Sequence, residues 1–301
     1  VSALDIAKIK ETRSDRIFTA INYTILSLIL VVFLYPLIFI VSSSFSSTEA
    51  VLSGKVWLWP VDFSLEGYKA VFNYKSVWTG YGNSLFYTVV GTFINIVMTI
   101  LAAYPLSRKE FYGRNFFMFL FFFTTLFNGG LIPTYLLIKE LGMLDTRWAM
   151  IIPGALSVFN VIVTRTYFKT TLPDELHEAA KLDGCNDFKF LTKIVIPLSG
   201  PIIAVMALFY AVGHWNGFFN ALIYLRDPSL FPLQLILNNI LVQNQVDPTL
   251  LQDTEVLQKQ AGLRELLKYS LIIIASLPVL IIYPFVQKHF VKGVMIGGLK
   301  E

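Results

Sequence analysis

Six long gaps in the distribution of charge constrain this chain more than any other feature. The stretches lying strictly between successive charged residues include Ile17 to Thr48, Ser76 to Ser107, Asn115 to Ile138, Trp148 to Thr164, Ile194 to Leu225 and Tyr269 to Gln287, of 32, 32, 24, 17, 32 and 19 residues. A hydrocarbon core about 30 Å thick is crossed by roughly 20 apolar residues of helix. Six such stretches exclude a soluble globular protein, a disordered chain and a disulfide scaffold. A transmembrane β-barrel would alternate apolar and polar residues instead of running in apolar blocks. Composition agrees, with 15% charged and 55% hydrophobic residues, against roughly 25% charged in soluble domains. The reading is an all-α integral membrane protein with helical spans at 17–41, 84–107, 116–138, 148–168, 200–223 and 269–288.

Basic residues orient the spans. With a cytoplasmic N-terminus, the inner segments 1–16, 107–115, 165–199 and 287–301 hold 15 Lys and Arg in 75 positions, and the outer segments 42–83, 139–147 and 223–268 hold 9 in 97. That is the positive-inside bias. It divides the chain into a cytoplasmic N-terminus (1–16), a transmembrane domain (17–290) and a cytoplasmic tail (291–301). The net charge of +4 follows from the same bias and implies no nucleic acid. The first apolar run, Ile17 to Val41, is 25 residues long, against about 7–15 for a signal-peptide core, so it reads as a retained first span. The one cysteine, Cys185, forms no intrachain disulfide, and the scattered His177, His214 and His289 suggest no metal site.

Several features interrupt the spans. Pro36 lies in the first, Asn128 to Pro133 is expected to break the third near its outer end, Pro153 and Gly154 open the fourth, and Pro278 and Pro284 sit in the sixth. Pro228 to Val246 is also free of charge, but its amides would be costly in lipid; it reads as an extramembrane or interfacial part of the long outer loop 223–268.

The longest inner loop, 165–199, carries the most specific signal. Thr171 with Asp174 and Pro173 resembles a capped helix start, and Gly184 supplies a stop. Asn186 or Asp187 caps a second short helix through Phe190, Pro197 ends that element, and Ser199 with Pro201 starts the fifth span. The expectation is a helix-turn-helix hanging below the membrane. Glu178-Ala179-Ala180, three residues, Gly184, nine residues, Ile194, one residue and Ile196-Pro197 resemble the EAA loop of binding-protein-dependent ABC importer permeases. Ile196 stands where that pattern usually has leucine. Gly129 to Thr146, Tyr210 to Asp227 and Phe290 to Glu301 resemble the carbohydrate-uptake branch, of the maltose-importer second-permease type. Within it, the chain is similar to permeases for uronate-containing oligosaccharides, alginate among them.

The resemblance implies a type I ABC importer permease fold whose loop docks on a cytoplasmic ATPase. Glu178 would pair with a basic residue there, Ala179 and Ala180 would form the docking face, and Asp183, Gly184, Ile194 and Pro197 would complete the motif. It implies a second, similar permease, two ATPase subunits and an extracytoplasmic solute-binding protein as partners, with Gly293 to Lys300 reaching between the ATPases. The chain has no G-x-x-x-x-G-K-[ST] loop and no arrangement for nucleophilic or paired-carboxylate catalysis. It is expected to bind no cofactor itself, ATP and Mg being held by the partner, and to be no enzyme.

Candidate path residues are the polar and aromatic side chains inside the spans: Asn95, Asn160, His214, Trp215, Asn216, Phe219 and Asn220. Intramembrane polar groups face the bundle interior or a watery cavity, yet they also join helices to one another, and both readings stay open. Helical spacing would put Asn216 and Asn220 on one face. Asn238, Asn239, Gln243, Asn244 and Gln245 are candidate contacts for the binding protein. The alternative, an ion-coupled secondary transporter, tends to carry midplane charges, and the six stretches contain none.

Overall fold

A computed structural model describes residues 12–242 and 266–283. All regular elements among them are helical: α1 Arg13–Ser44, α2 Thr48–Leu52, α3 Glu66–Asn73, α4 Lys75–Ser107, α5 Arg114–Leu126, α6 Leu131–Glu140, α7 Trp148–Ile151, α8 Val158–Thr171, α9 Asp174–Leu182, α10 Asp187–Phe190, a π turn Leu191–Val195, α11 Ile196–Leu198, α12 Gly200–Trp215, α13 Phe219–Tyr224, a 3₁₀ turn Pro228–Leu230 and α14 Leu233–Val242. A last helix, α15, spans Leu266–Tyr283. The chain forms two compact units, with the boundaries at 71/72 and 273/274 among the described residues.

The first unit holds α1. Thr12 and Asp15 form a capping box at its start, and the helix runs unbroken through Pro36 with its apolar side chains exposed. Its end is a run of buried serines tied to the following segment. The Ser42 hydroxyl donates to the Leu58 carbonyl (2.7 Å), the Ser46 hydroxyl accepts from the Val61 amide (3.0 Å), and Ser44 meets the Tyr68 hydroxyl (2.9 Å). Gly67 lets α3 approach the first turns of α15, because a Cβ there would collide with the Ser270 hydroxyl.

The second unit is built around α4. This helix begins nine residues before the expected span, and α14 packs against its first turns. Leu233, Leu235 and Ile236 of α14 are buried, and Gly80 lets Ile236 lie directly on the α4 backbone. At 33 residues, α4 is about 50 Å long at 1.5 Å per residue. The helices α8 and α12 pack along it around Val161, Phe168, Ile202, Met206 and Tyr210.

Among the described residues, three of the six expected spans are unbroken helices: α1, α4 and α15. The third bends by 115° between α5 and α6, at the expected place. Gly130 (φ +87°, ψ −179°) adopts a backbone conformation open essentially to glycine alone. The fourth is interrupted at 152–157, where Pro153 lacks an amide hydrogen for a helix to continue. The fifth ends at Trp215, and α12 is set at 80° to the Asp187–Leu198 run before it. The tail beyond 283, Pro284 included, lies outside the described residues.

Candidate functional site

The loop between α8 and α12 folds close to the expected plan, with two differences. Thr171 is the last residue of α8 and not a cap; α9 starts at Asp174 after Pro173. The helix stop is at Gly184 (φ +73°), and Asn186 caps α10 by accepting from the Lys189 amide (2.8 Å). The second arm then runs on past Phe190, through the π turn into α11. Pro197 has no amide hydrogen to offer the turn before it, and a wider turn is one relief. The Ser199 hydroxyl takes the Val195 carbonyl (2.6 Å), and the Ser199 amide bonds Ile196 instead.

This loop does not hang free of the body. Ala180, Phe190, Leu191 and Val195 belong to the same core cluster as Tyr104, Phe168 and Met206, and Ile194 packs against it. The two faces of α9 therefore differ sharply. His177 and Ala180 are buried, while Glu175, Glu178, Ala179 and Leu182 are exposed at i, i+3, i+4 and i+7, one continuous stripe. Of the two alanines expected on a docking face, Ala179 is exposed and Ala180 seats α9 on the body. Leu182 is 89% exposed and Phe188 73%. Neither was singled out from sequence, although the spacing of Leu182 from Glu175 and Glu178 carries the signal. Asp183, Gly184 and Pro197 are exposed.

Short polar contacts hold the loop together and fix it to its neighbour. His177 Nε2 lies 3.2 Å from Asp187 Oδ1 and its ring packs edge-on against Phe190, closing the two arms on each other. Lys109 Nζ reaches Asp174 at 2.7 Å, and Lys181 Nζ reaches Glu110 at 2.6 Å. These hydrogen-bonded pairs hold the Asp174 and Glu110 carboxyls below, and the two ammonium groups above, their ordinary values.

Within the spans, the candidate path residues separate into two groups. Asn95 is fully buried and uses both ends of its amide. Its Nδ2 donates to the Gly154 carbonyl (2.5 Å), and its Oδ1 meets His214 Nε2 (2.7 Å). Gly91 makes room for that imidazole, as a Cβ there would sit 2.5 Å from it. One turn on, the Thr99 hydroxyl meets the Tyr210 hydroxyl (2.7 Å), which accepts from the Ser157 amide (3.3 Å). These contacts give partners to the Gly154 carbonyl and the Ser157 amide in the opened backbone at 152–157, as irregular backbone at membrane depth requires. Trp215 is buried and donates to the Ala275 carbonyl (3.0 Å), and Asn160 is buried too. Asn216, Phe219 and Asn220 are exposed. They do not share a helix face, because the helix breaks at 216–218. The Asn216 side chain bonds back to the Val212 carbonyl (3.0 Å), and Gly217 carries the chain out of α12.

On the expected outer side, the segment after α13 is pinned to α4. Asn83 Nδ2 donates to the Ser229 (2.7 Å) and Phe231 (3.1 Å) carbonyls, the Tyr87 hydroxyl to the Leu230 carbonyl (2.8 Å), and the Leu233 amide to the Ser84 hydroxyl (2.8 Å). Asp145 (φ +58°) accepts from the Arg226 (2.8 Å) and Asp227 (2.9 Å) amides, which keep its carboxyl below the usual range. Asn238 and Asn239 lie half-buried on α14. The described part of that helix is 10 residues long. Gln243, Asn244 and Gln245 lie outside the described residues.

Comparison with known proteins adds to this geometry. Residues 6–296 match the family described as the binding-protein-dependent transport system inner membrane component. Protein LplC of Bacillus subtilis (strain 168) is 39% identical over 296 residues, covering 98% of this chain and 99% of that protein. The polygalacturonan/rhamnogalacturonan transport system permease protein YtcP of the same organism is 40% identical over 287 residues, covering 95% and 99%. A chain from the crystal structure of a bacterial ABC transporter involved in the import of the acidic polysaccharide alginate superposes with a TM-score of 0.87 at 38% identity, covering 94% of this chain and all of that one. By the extent of the family match and of these likenesses, the chain belongs to the inner membrane components of binding-protein-dependent transport systems, the ABC importer permeases.

Proposed function

We propose that this chain is one of two permease subunits of an ATP-driven, binding-protein-dependent importer of oligosaccharides or polysaccharide fragments that contain uronates, alginate or a related glycan. A similar permease forms the other half of the path. Two cytoplasmic ATPase subunits bind ATP and Mg, and an extracytoplasmic binding protein delivers the glycan. The chain itself holds no cofactor and catalyses no reaction. Both termini lie in the cytoplasm.

The substrate class rests on the relatives. One is named for polygalacturonan and rhamnogalacturonan, and the solved neighbour serves an importer of the acidic polysaccharide alginate. Coupling rests on the stripe of α9. Glu175, Glu178, Ala179 and Leu182 face away from the body while the opposite face is buried and ion-paired. An apolar side chain as exposed as Leu182, beside a carboxylate and a small residue, suits a partner's cleft. The exposed Asn216, Phe219 and Asn220 offer the amides and ring face that a sugar needs, and Asn238 and Asn239 offer amides to the binding protein.

The assembled importer in lipid vesicles tests this reading. Glu178→Lys and Leu182→Asp are expected to abolish ATP-driven uptake while the chain still inserts and pairs with the second permease. Uptake at the unaltered rate in both variants would overturn it.

A further inference from the structure

Three residues that the family signature does not include grip the coupling loop from outside it. Arg108, Lys109 and Glu110 follow directly on α4. Lys109 takes the first residue of α9, Asp174, and Glu110 takes Lys181 in its last turn. Asp174 and Lys181 are seven residues apart, two turns on one face, about 10 Å along the axis. Two adjacent residues of one loop thus hold both ends of one short helix. The opposite signs of the pairs fix its direction, since a reversed α9 would set like charges against each other. Arg108 adds a third contact, to the other arm. Its guanidinium lies between two rings, 5.1 Å from the centroid of Tyr104 on α4 and 5.0 Å from that of Phe190 on α10.

We infer that the 108–110 segment is a clamp that carries displacement of the coupling loop into α4. Lys109 and Glu110 are its positioning residues. This rests on the coupling role proposed for α9. Each ion pair is solvent-exposed, and such pairs add little to folding stability. Their geometry does something that stability does not require: it ties α9 to the end of α4, the longest described helix of the second unit. At its far end α4 holds the 229–236 segment through Asn83, Ser84, Tyr87 and Gly80. A push on the exposed stripe of α9 therefore acts on α4 through two charged tethers and the Arg108 guanidinium over its two rings, as well as through the shared core.

The test uses charge reversal and charge exchange in the assembled importer in lipid vesicles, reading glycan taken up per ATP hydrolysed. Lys109→Glu and Glu110→Lys, each alone, are expected to lower that ratio about fivefold or more with subunit assembly intact. Pairing Lys109→Glu with Asp174→Lys, and Glu110→Lys with Lys181→Glu, is expected to restore it to within about twofold, on the scale that couplings of this kind show. A purely structural role would instead lower the yield of assembled complex and leave the ratio of what assembles unchanged. An unchanged ratio in the single variants overturns the clamp, and so does failure of the exchanged pairs to recover. Glu178→Lys, run alongside, separates the two ideas. If it uncouples while the Lys109 and Glu110 variants do not, the clamp alone is wrong. If it too has no effect, the coupling role of α9 fails.

Discussion

At the scale of single residues, the intramembrane amides matter most. Asn95, His214 and Asn216 look alike in sequence as polar groups in apolar runs. The structure separates them by what each one meets. Asn95 meets both His214 and the Gly154 carbonyl, whereas Asn216 is exposed and bonds back to its own helix. Asn95→Leu would take this partner from the Gly154 carbonyl and from the half-buried His214 imidazole, at a cost of about 1–3 kcal/mol. Gly91→Val would drive a side chain into the His214 ring and displace it, at a cost of about 1–3 kcal/mol for overpacking. Both are expected to lower the thermal unfolding midpoint of the detergent-solubilised protein by several degrees, while Asn216→Leu leaves it in place. No sequence signal could have assigned these partners, since Asn95 and Gly154 are 59 positions apart and the bond depends on how α4 meets the break before α8.

At the scale of elements, the loop between α8 and α12 was the most legible part. Gly184 at a left-handed turn and Asn186 as a cap act where their chemistry places them. Local rules of this kind need no knowledge of the rest of the chain. What could not be read was the seat of the loop. Ala179 and Ala180 are equivalent in sequence, and only the core behind α9 makes one exposed and the other buried. The ion pairs to Lys109 and Glu110 were hidden for the same reason. Their electrostatics also set a pH window. Asp174 and Glu110 are held below their ordinary values, so what the pairs contribute is present at neutral pH and fades only as the pH falls through those lowered values. Lys109 and Lys181 are held above theirs, so the contribution fades at the alkaline end only as the pH climbs through those raised values. The contribution of these two pairs to uptake per ATP is therefore expected to stay level across neutral pH. A fall within that window that follows the α9 variants would contradict the pairing.

At the scale of the whole molecule, the charge-free stretches identified a membrane protein but not the shape of its spans. Apolar composition says that a segment prefers lipid or core, and it is silent on whether a helix crosses straight or bends. Hence α1, α4 and α15 were legible, and the 115° elbow between α5 and α6 was legible only as a break. Orientation is open to a direct check, because Cys185 is the only cysteine in the chain. In a Cys185→Ser background, Tyr112→Cys is expected to react with an impermeant maleimide only from the cytoplasmic side, and Trp59→Cys only from outside. In the proposed function, glycan movement through this chain is driven by ATP held on another subunit. Its most direct measurement is uptake of uronate oligosaccharide into vesicles holding this chain, its partner permease and the ATPase pair, with the loaded binding protein outside and ATP inside or absent. Uptake is expected with ATP and none without it. Equal uptake in vesicles that hold this chain alone, without ATP, would contradict that function.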